Sequence, residues 1–261
     1  MQLKPKKSLG QNFLHDKNII DKIIQASEIN NKDIVLEIGP GTGNLTKFII
    51  NQKPKKLYVI EKDFRLAQDL EKKFLKKINI IVNDVLKIPN EFYSGKKFLI
   101  LGNLPYNIST KVLSMWCLKD ELKVSKMILM FQKEVADRIT ADVNSREYSR
   151  ITILSNWKFD VKKIIDVKPN SFFPKPKVNS TVLEFTPKKK IHQIKDPKNL
   201  EKITRVFFSQ RRKMIKKPIK ILFKNNKFNF NKINIKPSDR PQNININKYL
   251  KIVNEYELLR N

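Results

Sequence analysis

The chain of 261 residues is poor in the residues that build thiol, metal or histidine chemistry, with one cysteine, Cys117, and two histidines, His15 and His192. A lone thiol excludes a disulfide framework and a thiolate metal site, and fits a reducing compartment. With no Cys or His cluster, no metal centre is expected, and each histidine reads as a surface residue. Acids are also scarce, at 25 Asp and Glu against 54 Lys and Arg. The surplus of 29 positive charges exceeds what solubility needs and points to a polyanionic partner such as nucleic acid. Heavy use of Lys, Asn and Ile is also what AT-rich codon pressure produces, so charge alone leaves that alternative open. No apolar run reaches membrane-spanning length, and the start, MQLKPKKSLGQNFL, has neither a signal-length apolar core nor an arginine before Arg65. A soluble, cytoplasmic monomer without a membrane partner is expected.

What is present is an alternation. Apolar runs of strand length recur at 34–38, 57–60, 78–82, 98–101 and 127–131, separated by helix-like stretches such as 66–75, apolar at 66, 67, 70 and 74. Continuous apolar strands alternating with helices predict a parallel sheet covered on both faces, a doubly wound, Rossmann-like α/β fold. Two further strand-like stretches, 157–167 and 178–185, flank a loop too short for a crossover helix, which predicts an antiparallel hairpin at the end of a mixed sheet. Residues 187–261 hold 21 Lys and Arg against 5 Asp and Glu, so a domain over 1–186 and a small, basic, helical one over 187–261 are expected. In the second, 200–217 reads as one helix carrying Arg211, Arg212 and Lys213, with Pro218 ending or kinking it. The Asn- and Lys-rich stretch 225–247 still has regularly placed Phe and Ile and is expected to be loose but ordered.

The chain has six glycines, and three fall in Glu37-Ile-Gly39-Pro-Gly41-Thr-Gly43, directly after the first strand. Such spacing lets backbone approach a ligand closely, or simply makes a tight turn. The second strand ends in Glu61, placed for ribose hydroxyls, the third near Asp84, placed for an adenine amino group, and the fourth at Asn103. Four strands thus finish in polar side chains at the edge where open α/β sheets bind ligands. Gly39-x-Gly41-x-Gly43 departs from the G-x-G-x-x-G pyrophosphate loop, which favours S-adenosyl-L-methionine over a dinucleotide.

The fourth strand runs into Gly102-Asn103-Leu104-Pro105-Tyr106. An exocyclic amine on a base is a poor nucleophile because its lone pair is delocalised into the ring. Hydrogen bonds from that amine to the Asn103 side-chain oxygen and the Leu104 carbonyl would favour a tetrahedral nitrogen and spread the developing charge without a strong base. Pro105 stiffens the turn and Tyr106 can stack on an extruded base. A plain turn with a core tyrosine is the competing reading. The aromatics of Phe172-Phe173-Pro174 either wall the base pocket or cap the core.

Taken in order, SLGQNFLHD (8–16), EIGPGTGNLT (37–46), GNLPYNIST (102–110), QKEVADRI (132–139), SFFPKPKVNST (171–181) and FFSQRRK (207–213) resemble the ribosomal RNA adenine N6-dimethyltransferases. The resemblance is greatest to the bacterial branch acting on two adjacent adenosines near the 3′ end of small-subunit (16S) rRNA. It implies that Asn12 and Leu14 join Gly39, Gly41, Glu61, Asp84 and Asn103 around the methyl donor. It also implies that Asn103, Leu104, Pro105 and Tyr106 hold the target adenine with Phe172 on its other face, and that Arg211, Arg212 and Lys213 engage rRNA. Two departures stand out: serine at 149 where glycine is common, and Gln242 where glutamate is usual. The alternatives are the related large-subunit (23S) enzymes of the macrolide-resistance type and a non-catalytic ribosome-assembly factor.

Overall fold

A computed structural model of the chain describes residues 4–224 and 228–259. A two-residue strand, β1 (Phe13–Leu14), precedes helix α1 (Lys17–Ser27), whose first N–H groups at Asn18 and Ile19 donate to the Asp16 side chain. Strands β2 (Ile34–Ile38), β3 (Lys56–Glu61) and β4 (Asn79–Val82) alternate with α2 (Asn44–Asn51) and α3 (Phe64–Phe74). After the single turn α4 (Asn90–Tyr93) come β5 (Lys97–Asn103), α5 (Tyr106–Leu118), β6 (Lys123–Gln132), α6 (Lys133–Ile139), α7 (Arg150–Lys158) and β7 (Phe159–Val167). The chain continues through β8 (Phe172–Phe173) and β9 (Ser180–Pro187) to α8 (Pro197–Phe208), α9 (Lys216–Phe223), α10 (Phe230–Ile233) and α11 (Ile246–Leu258).

Seven strands form one sheet in the order β4-β3-β2-β5-β6-β9-β7. From β4 to β6 every pair is parallel, and β9 runs antiparallel to β6, so the sheet is mixed as expected. Val35, Leu36, Val59, Phe98, Ile100 and Leu101 are buried, as strands covered on both faces require. The chain winds outward from β2 to β4 and returns to the other side of β2 as β5, which opens a crevice at the carboxyl ends of β2 and β5.

The expected hairpin partners are sheet neighbours, but β9 is the inner one, inserted between β6 and the edge strand β7. β7 starts at Phe159, because Trp157 and Lys158 close α7. The expected helix over 200–217 is two helices. After α8 the N–H groups of Ile215 and Lys216 donate to the carbonyls of Asp239 (2.8 Å) and Pro237 (3.2 Å), which draws the backbone out of the helix before α9 begins. Pro218 does not break it: Pro218 is the third residue of α9, where a missing N–H forfeits no intrahelical bond. Of the stretch expected to be loosely ordered, 225–227 lies outside the described residues. The remainder carries α10, a turn at Pro241–Asn243 and the entry to α11.

The chain divides into two compact units: 1–116, 120–136 and 160–187 in the first, and 117–119, 137–159 and 188–261 in the second. This differs from a division at 186/187. Helix α7, with Ile151, Ile153, Leu154 and Trp157 buried, packs against α8 and α11 and so belongs to the second unit. Ser149, the departure noted above, caps α7 in a box with Thr152.

In the second unit a buried carboxylate organises the start of α8. Glu257 on α11 accepts from the backbone N–H of Lys195 (2.9 Å) and Asp196 (3.0 Å) and from Asn199 Nδ2 (2.9 Å). Burial opposes ionisation, but these donors outweigh it and hold the carboxyl below its ordinary range. Glu257→Ala is expected to cost about 2 kcal/mol in urea unfolding at neutral pH, because three donors lose their acceptor. A lowered pKa gives stability that is present above the ordinary value of 4.5 and is lost as pH falls through the folded value. The gap between wild type and variant should therefore shrink in acid; a pH-independent gap would contradict this reading.

Candidate active site

The loops leaving β2, β3, β4 and β5 and the segment around 8–14 line one cavity at the carboxyl edge of the sheet. Glu61, the last residue of β3, is buried there, and its Oε1 and Oε2 accept the N–H groups of Asp63 (2.8 Å) and Gly41 (3.2 Å). Burial raises its pKa despite these donors. Each oxygen keeps a further lone pair for a hydroxyl. Gly41 has φ +58°, and a Cβ there would stand 2.8 Å from the ring of Phe13, so this glycine lets the N-terminal segment lie on the loop. Gly43 does different work. A Cβ there would stand 2.6 Å from Phe74 and 2.8 Å from Leu70, which makes it a packing glycine between α2 and α3 outside the cavity lining.

Two amide side chains fix the N-terminal segment. Asn103 Nδ2 donates to the carbonyl of Asn12 (2.8 Å), and Asn44 Nδ2 to that of Leu14 (2.8 Å). β1 also pairs with β8, Phe13 opposite Phe173 and Leu14 opposite Phe172. Further along, Gln11 Nε2 reaches Asp63 (3.3 Å), whose carboxyl the Arg65 guanidinium holds well below the usual range. Sequence reading alone makes GQNFL a helix-capping loop. Partners 30 and 91 residues away leave no local signal of the fixed strap it forms.

Because Nδ2 of Asn103 is committed to Asn12, Oδ1 is the atom left to accept. The Pro105 carbonyl takes the turn's hydrogen bonds, from Ile108 (3.0 Å) and Ser109 (3.1 Å), while that of Leu104 takes none of them. The Tyr106 hydroxyl is 2.6 Å from Ser180 Oγ, and burial raises its pKa, so the phenol stays neutral. Asp84 caps the turn after β4 through Leu86 N–H (3.0 Å) and pairs with Lys62 (2.9 Å). Burial opposes its ionisation, but these partners lower its pKa.

The structure brings together in one cavity Asn12, Leu14, Gly39, Gly41, Glu61, Asp84, Asn103, Leu104, Pro105 and Tyr106. Phe172 is not among the lining residues. Its ring is 1% exposed in the hydrophobic core with Leu14, because β8 turns it inward against β1, and the outward aromatic is Phe173, at 58%. Arg211, in the second unit, is not a free cation: it donates to Gln242 (3.2 Å) and to the carbonyls of Ser145 (3.2 Å) and Arg146. Gln242 therefore supplies the acceptor at the position where glutamate is usual. Arg212 and Lys213 are exposed.

One cavity residue stands out in the structure that the sequence marks only as the start of the glycine loop. Glu37 is wholly buried, and its Oε2 has no hydrogen-bond partner among the described residues. Burial pushes its carboxyl up to about 8; the Thr46 hydroxyl, close but out of hydrogen-bonding geometry, lowers it, and the Glu61 charge adds to the rise. A buried acid directly before a glycine loop was the available signal.

A mixed doubly wound sheet with carboxylates and an amide at its strand ends, and a glycine loop beneath a fixed N-terminal segment, defines the class I methyltransferase fold. A solved dimethyladenosine transferase from Plasmodium falciparum superposes with TM-score 0.82 at 28% identity, covering 95% of this chain and 98% of that one. The 23S rRNA methyltransferase ErmE shares the fold at TM-score 0.69 and 23% identity, covering 96% and 100%. The pattern that defines the family described as Ribosomal RNA adenine dimethylase matches residues 2–258. A protein named Ribosomal RNA small subunit methyltransferase A from Pelagibacter ubique (strain HTCC1062) is 54% identical over the full length of both chains. One of the same name from Malacoplasma penetrans (strain HF-2) is 42% identical, covering 94% of this chain and 90% of its own. The chain belongs to the ribosomal RNA adenine dimethylase family.

The raised pKa of Glu37 has a measurable sign. The folded state holds a proton that the unfolded state releases between the ordinary value of 4.5 and about 8, so this group's contribution to stability falls as pH rises through that window. Glu37→Gln should remove the fall, leaving the variant more stable than wild type at pH 9 and close to it at pH 5 in urea unfolding. Parallel pH profiles would contradict the assignment.

Proposed function

We propose that the protein transfers methyl groups from S-adenosyl-L-methionine to the N6 amines of two adjacent adenosines near the 3′ end of small-subunit (16S) rRNA, in the cytoplasm where ribosomes are assembled. The observation that carries this reading is the Asn103 amide, which is tethered through Nδ2 and offers Oδ1 beside the Leu104 carbonyl, which takes none of the turn's hydrogen bonds. The names of the full-length relatives support the small subunit as the site of action. The likeness to ErmE is one of fold and carries no weight for the large subunit.

The cavity suits an adenosyl donor: Glu61 has lone pairs for ribose hydroxyls, Asp84 an acceptor for an adenine amine, and Glu37 an unsatisfied buried oxygen. When bound, the donor supplies a methyl group on a positively charged sulfur. Asn103 Oδ1 and the Leu104 carbonyl would accept the N–H groups of the target amine, two before the first transfer and one before the second, which would leave its lone pair free to take up the methyl group that the donor supplies. The surplus proton leaves to solvent. Tyr106, neutral and anchored by Ser180, presents its ring to the base, and Pro105 keeps an N–H out of the acceptor pair.

Three variants test this. Asn103→Ala should lower single-turnover transfer to unmodified small subunits about 100-fold, the scale of losing one positioned polar group, with donor affinity changed far less. Equal loss of both would place Asn103 in donor binding alone. Charge reversal at Arg212 and Lys213 should flatten the salt dependence of RNA binding by about 2 in log–log slope, one for each phosphate that is no longer neutralised. Arg211→Ala should show itself mainly as lower stability, through the Ser145 and Gln242 partners it strands.

A further inference from the structure

At the opposite edge of the same sheet, where β3 and β4 begin, five lysines surround one groove. Lys53, Lys55 and Lys56 come from the turn into β3, and Lys76 and Lys77 from the turn into β4. The remaining lining residues are apolar or amides, and none is acidic. All five lysines are exposed, and among the described residues none forms an ion pair, in contrast to nearby Lys73, which pairs with Asp69. Lys56 Nζ rests 4.9 Å over the Tyr58 ring.

The groove is built rather than accidental in shape. Asn79 Nδ2 donates to the Leu57 carbonyl (3.0 Å), which ties the starts of β3 and β4 together and holds the two lysine turns side by side. Lys53 has positive φ and donates its N–H to Ile50 (3.0 Å), and Lys56 N–H donates to Asp33 (3.3 Å), so the first turn is closed at both ends. Five like charges on one concave surface repel one another unless an anion lies among them. A cleft lined by one sign of charge focuses that potential more strongly than the same charges spread over a convex face.

We propose that this groove docks the phosphate backbone of an RNA segment remote from the methylated base, an inference that rests on the rRNA reading above. Lys56 and Glu61 stand at the two ends of β3, about 17 Å apart at strand rise. The groove and the catalytic cavity open at opposite edges, so phosphates held here belong to a different part of the folded substrate from the target strand. The lysines then act on recognition of the assembled particle and leave the chemistry of a short RNA untouched.

The test compares wild type with a variant carrying Lys→Gln at 53, 55, 56, 76 and 77, and a second carrying Lys→Arg at the same positions, each checked for an unchanged melting temperature. Dissociation constants for unmodified small subunits and for a short hairpin bearing the target adenosines are measured from 50 to 200 mM salt. The Gln variant should bind subunits at least 10-fold more weakly, with a log–log salt slope shallower by about 3 to 5, while its hairpin affinity stays at the wild-type value and the Arg variant keeps the wild-type slope. An unchanged slope in the Gln variant would overturn the proposal. So would binding to vesicles of anionic phospholipid that the Gln substitutions abolish while RNA binding is untouched, which would assign the groove to a membrane surface. Wild type that binds subunits with a steep salt slope yet transfers no methyl would instead refute the functional reading and leave the groove standing.

Discussion

One hydrogen bond sets the geometry of the site: Asn103 Nδ2 to the carbonyl of Asn12. It joins the carboxyl end of the central strand β5 to the N-terminal segment that lies over the glycine loop, and in doing so fixes which face of the amide remains available. An unattached Asn103 could present either oxygen or nitrogen to a base. With its nitrogen committed, it presents an acceptor, the polarity that the proposed target amine would need. The other contacts of the segment reinforce this choice: Asn44 holds the Leu14 carbonyl, Phe13 packs on Gly41, and β1 pairs with β8.

Electrostatics divides the catalytic unit along the sheet. The carboxyl edge gathers Glu37, Glu61 and Asp84 in a cavity, where backbone N–H groups and burial tune each differently. The groove at the amino edge gathers five lysines, and none of its other lining residues is acidic. The second unit contributes exposed Arg212 and Lys213 but spends Arg211 on its own backbone carbonyls.

Much of this was legible in the chain. β2 spans the expected 34–38, and the polar residues that end β3 and β5 do face the cavity, because a strand buried on both faces announces itself as an unbroken apolar run and stops where polarity begins. What escaped depended on distant partners. The insertion of β9 beside β6, the inward turn of Phe172, the break before α9 and the internal use of Arg211 are each decided by residues far away in sequence. A run such as Arg211-Arg212-Lys213 looks uniform in sequence, yet one member is structural. The same holds for the glycines: three in alternation suggest one role, while Gly41 serves the N-terminal segment and Gly43 serves helix packing.

The most direct measurement is to supply the purified protein with labelled S-adenosyl-L-methionine and small subunits from a strain lacking the modification, then map the product by mass spectrometry. An enzyme of the proposed activity yields two adjacent N6,N6-dimethyladenosines near the 3′ end of the small-subunit rRNA. Tight subunit binding with no methyl transferred, or label confined to large-subunit RNA, would contradict the account.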